Sequence, residues 1–263
     1  MKSELIRNYY FLPMNSFFPS LIGISLALAL ISSCSGKGED ENSNPMLSSS
    51  ADETPLSSSA EEIPLSSSSS MEEESQTYKT VLIGSQTWMA ENLNYDVPGD
   101  TTDVCYDNKE NNCAAYGRLY SWATAMNLDP SCNSSTCANQ IQSPHRGICP
   151  AGWHVPSDAE WATLINFAGG ASTAGTKLKT TSGWNAHETY GNGTDNYDFS
   201  ALPGGLGYSG GSFSNVSNFG FWWSAGEDTN SLAYIRGMYY SSEIVLWDYY
   251  DKSFLLSVRC LLD

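Results

Sequence analysis

The chain has 263 residues, with 29 acidic side chains against 12 basic ones and a formal net charge of −17. No cluster of Lys or Arg interrupts that acidity, which argues against a nucleic-acid phosphate backbone as partner. Seven cysteines and eight tryptophans suit one disulfide-bearing globular domain better than a reduced, intracellular one.

Lys2 and Arg7 precede a run, 17–31, that has no charged side chain, the basic-then-apolar order of a secretory leader. A membrane span needs about 20 apolar residues. This run is shorter, is interrupted by Pro19 and ends in small residues, so the leader reading is preferred. Ile31-Ser32-Ser33-Cys34 resembles the bacterial lipobox, which implies removal of 1–33 and acylation of Cys34 as the new N-terminus. Two or more acyl chains hold a protein stably on a bilayer, each buried methylene contributing about 0.8 kcal/mol. Ser35 stands where some bacteria place an inner-membrane-retaining aspartate, so the expected location is the outer membrane, at the cell surface. Residues 34–77 are Ser, Glu, Asp, Pro and Asn with few branched apolar side chains. Such a segment buries too little surface to offset its ordering entropy and is expected to be a disordered, acidic stalk. Thr54-Pro55-Leu56 and Ile63-Pro64-Leu65, each followed by serines, repeat with a period too short for a solenoid.

Residues 78–263 hold all eight Trp and are dense in Gly, Asn and Ser, the pattern of short strands joined by many turns. Apolar strips at 80–83 and 87–90 around Gly84-Ser85-Gln86 predict an opening hairpin. Leu119, Trp122, Ala123 and Met126 have helical spacing, which predicts a first helix over 117–126. Residues 153–156 read as a short strand. Ser157 and Glu160 then form a capping box for a second helix, with Trp161, Leu164, Ile165 and Ala168 on its buried face and Gly169-Gly170 at its end. Strand-like runs follow at 219–224, 232–239, 243–247 and 254–261. Two early helices and a late antiparallel sheet make the fold class α+β.

Apart from Cys34, the cysteines are Cys105, Cys113, Cys132, Cys137, Cys149 and Cys260, an even number suited to an oxidising compartment. Six cysteines allow fifteen pairings and spacing selects none of them. Cys105 with Cys113 and Cys132 with Cys137 are the near neighbours, which would leave Cys149 for Cys260. Zinc is the alternative, but Cys105 and Cys113 are too far apart in sequence and no paired histidines follow.

Val81 to Tyr95, Tyr116-Gly117-Arg118-Leu119-Tyr120, Cys149-Pro150-Ala151-Gly152-Trp153-His154, Phe199 to Gly205, Trp222-Trp223-Ser224-Ala225 and Arg259-Cys260 resemble, in order, the Fibrobacter succinogenes major paralogous domain. The resemblance implies a secreted or lipid-anchored bacterial protein suspected in attachment to plant fibre or in surface assembly. That family is in turn similar to the C-type-lectin-like fold shared by formylglycine-generating enzymes, through Pro156-Ser157 to Trp161 and Arg259-Cys260. The tripeptides of calcium-dependent sugar lectins are absent, since Trp184-Asn185 is followed by Ala186. The pair of free thiols that the oxidase relatives use is missing from the simplest cysteine pairing.

Catalytic signals are weak. Gly205-Leu206-Gly207-Tyr208-Ser209-Gly210 matches a dinucleotide fingerprint by letter, but it follows Pro203 and leads into no helix. His145, His154 and His187 have no metal spacing. Carboxylates are plentiful, and because their separations are invisible in a sequence a glycosidase pair stays open. The chain is nonetheless read as a binding module without catalysis. Asn192, Asp195, Asn196 and Asp198 crowd oxygen ligands into one loop, a candidate structural calcium site. Aromatic residues crowd the late strands, and alternation sends adjacent rings to opposite faces. One ring of each pair is therefore expected to be exposed or covered by a loop. Trp222, Trp223, Tyr239, Trp247 and Tyr249 are the candidate ligand-binding set. They fit adhesion to polysaccharide; the alternative is a structural or protein-binding envelope component with no sugar site.

Overall fold

Thr80–Ile83 (β1) and Gln86–Met89 (β2) pair antiparallel with Ile83 opposite Gln86, so Gly84-Ser85 forms the two-residue turn that the hairpin pattern predicts. Gly84 has φ 64, and a Cβ there would stand 2.9 Å from the ring of Phe167, which makes glycine necessary on both counts. The computed structural model describes residues 78–263. The expectations for the leader, for Cys34 and for the 34–77 stalk lie outside the described residues. Among the described residues, no helix is long and apolar enough to cross a membrane.

Asp103–Val104 (β3) and Leu119–Tyr120 (β4) pair with each other, and between them lies a helix, Glu110–Tyr116 (α1). A one-turn helix, Trp122–Ala125 (α2), follows with Ser121 as its cap. The continuous helix expected over 117–126 is therefore corrected to a strand and a single turn. Gly117, at φ 76 and ψ 178, closes α1 in a conformation no helix continues through. The apolar spacing at 119–126 arose instead because every one of these elements is buried. α1 itself was not legible, since only Cys113 among its seven residues is buried.

Trp153–His154 (β5) precedes Asp158–Phe167 (α3), and α3 carries the predicted capping box. The Ser157 amide and hydroxyl both donate to Glu160 Oε2, at 2.8 and 2.7 Å. Ala174–Leu178 (α4) follows. Leu206–Gly207 (β6) and Phe213–Ser214 (β7) then form a small ladder, so the glycine fingerprint is a hairpin and not a strand leading into a helix. Phe219–Glu227 (β8), Leu232–Tyr239 (β9) and Val245–Asp251 (β10) make the late antiparallel sheet, in the order β10-β9-β8. Leu261–Leu262 (β11) inserts between β2 and β5 to complete a second sheet, β1-β2-β11-β5. The single strand expected over 254–261 is instead an extended segment with changing partners. Leu255 bridges to Gly207, Leu256 to Tyr120 and Ser257 to Trp222 before β11 begins.

Both faces of β8 are covered, and that governs which aromatic rings reach solvent. Phe221, Trp223, Ala233 and Ile235 face one apolar core, while Trp222, Met238 and Val245 face another that contains Trp88, Trp161 and Phe199. Trp222 and Trp223 are each 0 % exposed. Their indole N–H groups donate at 2.8 Å to Asn92 Oδ1 and to Tyr120 O, which satisfies the polar handle that burial would otherwise strand. Of the two outcomes expected for the second ring of this pair, exposure or cover, the structure shows cover: alternation separates the rings, helix α3 lies over one side and the β4 and C-terminal segments over the other.

Three disulfides form, Cys105–Cys113, Cys132–Cys137 and Cys149–Cys260. The molecule is accordingly a mixture of few helices and several antiparallel sheets, with sulfur crosslinks at three places.

Lys179 lies 1 % exposed and donates to Tyr239 O and Ser242 O, each at 3.0 Å; among the described residues it is in no ion pair. Burial lowers its pKa to about 8. Since the fold disfavours the charged form, the penalty is complete below that value and fades as pH rises toward the unfolded value of 10.5. Wild type is therefore expected to gain about 3 kcal/mol relative to Lys179→Met between those limits. Urea midpoints of both proteins measured in parallel across that range read the difference.

Candidate functional site

The large rings that do reach solvent near the late sheet are Trp247, 53 % exposed, and Tyr249, 39 % exposed. They stand on the same side of β10, two residues apart. On β9, Tyr249 is opposite Tyr234 and Trp247 is opposite Arg236, so Tyr234 joins the same surface. Its ring stacks on Trp247 with centroids 5.4 Å apart and planes 22° from parallel. One face of the indole is covered by this contact and the other is open.

The N-terminus of α3 fixes the strip from the side. Asp158, the first helical residue, accepts from Trp247 Nε1 at 2.8 Å through Oδ2 and from Arg236 Nη1 at 2.7 Å through Oδ1. Arg236 is 3 % exposed and also donates from Nη2 to Asp158 O at 3.2 Å. Asp158 is placed by the capping box, so a local helix-start signal sets the orientation of a surface ring. The Tyr234 hydroxyl donates to Asp228 at 3.0 Å. That hydrogen bond, some burial and the charges of Asp228 and Asp158 together raise the phenol above its ordinary pKa.

A groove of about 460 Å³ continues from Tyr234 between α3 and the 141–145 segment, with Gln142, Ser157, Asp158, Glu160 and Glu227 in its walls. It adjoins a second hollow of about 410 Å³, which shares Ser143, Pro144 and Glu160 with it and adds His154 and Asp263. His154 Nδ1 is 2.7 Å from Asp263 Oδ1, and Nε2 is 3.1 Å from Glu160 Oε1. Burial pushes the Glu160 carboxyl up, but the Ser157 and His154 bonds outweigh it and hold the group below the usual carboxylate range. The Ser157 hydroxyl donates to Glu160 as part of the capping box of α3.

Of the expected ligand-binding residues, the structure brings Trp247 and Tyr249 together at the surface and puts Trp222 and Trp223 in the interior. Tyr239 is half-buried and packs edge-on against Phe219, centroids 4.6 Å apart. Tyr234 and Asp158 are additions. Tyr234 could have been found from the hairpin register, whereas Asp158 reads in sequence as an ordinary acidic first-turn residue.

Asn192 and Asp195 of the 192–198 loop accept hydrogen bonds from residues on either side of it. Asn192 Oδ1 accepts from Trp184 N at 3.0 Å. Both Asp195 oxygens hold Ser200, through its amide and its hydroxyl, each at 2.8 Å. Asp195 and Asp198 have φ of 45 and 53, a left-handed conformation that Asp tolerates better than most residues. The candidate calcium ligands Asn192 and Asp195 thus hold Trp184 and Ser200. Among the described residues, a cluster of metal-ligating type occurs at Cys105, Glu110 and Cys113, whose two sulfurs are bonded to each other. His145 is spent on the Gln142 amide and on Met126 O.

A sequence model of the Fibrobacter succinogenes major domain matches residues 81–261. No curated protein matches the chain, and no solved structure matches it.

Proposed function

The chain belongs to the Fibrobacter succinogenes major domain family, and from that premise we propose a lipid-anchored, non-catalytic binding module that adheres to polysaccharide. Acylated Cys34 tethers it to the outer membrane, and the acidic stalk lifts residues 78–263 toward the cell exterior. The observation that carries the reading is Trp247. More than half of this ring is exposed, although leaving so large an apolar surface in water is unfavourable by about 25 cal/mol for each Å². Tyr234 and Asp158 nevertheless hold it in one orientation. A rigid ring with an open face suits the apolar face of a pyranose, and its preset orientation lowers the entropy lost on binding. For the fold, we read residues 78–263 as C-type-lectin-like. The capped helix start at Ser157–Trp161 and buried Arg259 beside Cys260 support that reading.

The test is retention of the detergent-purified full-length protein on cellulose, xylan and mannan. Trp247→Ala is expected to weaken retention about tenfold, the equivalent of about 1.4 kcal/mol. Exposed Tyr190→Ala, away from the strip, should leave it unchanged. A chelator should not release the bound protein, because Asn192 and Asp195 are already engaged by Trp184 and Ser200. Failure to bind any of these polymers removes the polysaccharide reading.

A further inference from the structure

Which glycans the strip takes is a separate question that rests on the polysaccharide reading above. Asp251 stands two residues beyond Tyr249 on the same face of β10, and Asp228 holds the Tyr234 hydroxyl. Asp158 is neutralised by Arg236. Likewise Glu227 is paired with Lys252, and Glu160 is in hydrogen-bond contact with His154. Asp228 and Asp251 are in no ion pair among the described residues. The cations of the late strands and C-terminal segment, Arg236, Lys252 and Arg259, are all buried and offer no positive charge to a ligand. Asp228 also raises the Tyr234 phenol, first through this hydrogen bond and then, after some burial, through its charge.

The strip thus carries an open indole face at one end and, toward its other end, two carboxylates outside any ion pair, an arrangement that complements one sign of charge. We propose that the Tyr234–Trp247–Tyr249 face selects glycans bearing ammonium groups and turns away glycans bearing carboxylates. The amine lies against the open face of Trp247, where the ring quadrupole attracts a cation, and Asp228 and Asp251 supply counter-charge. A uronate chain meets the same carboxylates as like charges and is repelled, the more so at low salt. An uncharged glycan keeps only the stacking contribution.

Affinity electrophoresis of the full-length protein tests this, in gels carrying low-acetylation chitosan, xylan depleted of uronate, polygalacturonate or polylysine. The gels are run at about pH 5.5, where the chitosan amines are protonated. Chitosan is expected to bind about tenfold tighter than the uncharged xylan at low salt, and polygalacturonate should not retard the protein. Trp247→Ala should lose binding to both chitosan and xylan. Asp228→Asn with Asp251→Asn should abolish the chitosan preference while leaving xylan binding intact. Persistence of that preference in the double variant would assign it to the general acidity of the chain and overturn the proposal. Equal binding of xylan and polygalacturonate, or of xylan and chitosan, would do the same while the polysaccharide reading stands. Binding of no glycan removes both readings. Trp247-dependent retardation by polylysine without any glycan binding gives the face to a basic protein instead.

Discussion

Replacing Lys252 by Met is expected to lower the free energy of unfolding by about 3–5 kcal/mol, because it leaves a buried carboxylate without its cation. Lys252 is 0 % exposed. It donates to Glu227 Oε2, to Ser135 O at 3.2 Å and to Asn230 O at 3.1 Å, and it sits 4.4 Å from the centre of the Trp122 ring. Glu227 in turn accepts the amides of Cys137, at 3.0 Å, and Ala138, at 2.8 Å. The pair therefore joins the Cys132–Cys137 loop, the end of β8 and the turn into β9. Glu227→Gln should also destabilise the fold, since it strands the ammonium. Combining the two changes should cost less than the sum of the singles, because neither partner is then left charged and alone. Urea unfolding of the four proteins at neutral pH provides the cycle, and simple additivity would show that the pair does not act as a unit.

The same carboxylate has a pH signature. Burial pushes Glu227 up, but the Lys252 bond and the two amides outweigh it and hold it below its ordinary value of 4.5. A depressed acid contributes stability that is present above the unfolded value and is lost as pH falls through the folded one. Acid titration of stability should therefore be steeper in wild type than in Glu227→Gln below about pH 4.5.

How much of this was legible depended on whether a local pattern or a long-range contact decided the outcome. Ser157 and Glu160 are three residues apart and act on each other, so the start of α3 was readable, as was strand 232–239, which has the predicted bounds. The helix expected over 117–126 failed because burial on all sides gives strands and turns the same apolar spacing as a helix. Trp222 and Trp223 failed for a related reason. Period-two alternation says that adjacent rings part, but not whether a second layer covers each face, and here α3 brings Trp161 to within 6.3 Å of Trp222. In the candidate site, Trp247 and Tyr249 stood out as aromatic residues on one strand. Tyr234 needed the β9–β10 register, and Asp158 needed tertiary contact across 89 residues of chain.

The three disulfides should contribute unequally, and Cys149–Cys260 should contribute most. Its partners are 111 residues apart, against 8 for Cys105–Cys113 and 5 for Cys132–Cys137. On the chain-entropy account, the long crosslink restricts the unfolded chain by about 4.7 kcal/mol and the short ones by about 2–2.5 kcal/mol each. Native placement sharpens the contrast. Cys260 O accepts from Met89 N at 3.1 Å and immediately precedes β11, the strand between β2 and β5. Its neighbour Arg259 is wholly buried and bonded to Asn92, Phe199 and Ser200, with its pKa lowered by burial to about 9. Freeing Cys260 therefore releases the C-terminal end of a segment that brings a buried cation into the core. Paired Cys→Ala variants at each bridge, compared by urea unfolding without reductant, should rank with Cys149–Cys260 as the costliest by about 2 kcal/mol. Equal losses at all three bridges would mean that native contacts around each one, and not the length of chain it closes, set its contribution. In that case the hydrogen bonds of Arg259 would hold the C-terminal segment in place with or without the crosslink.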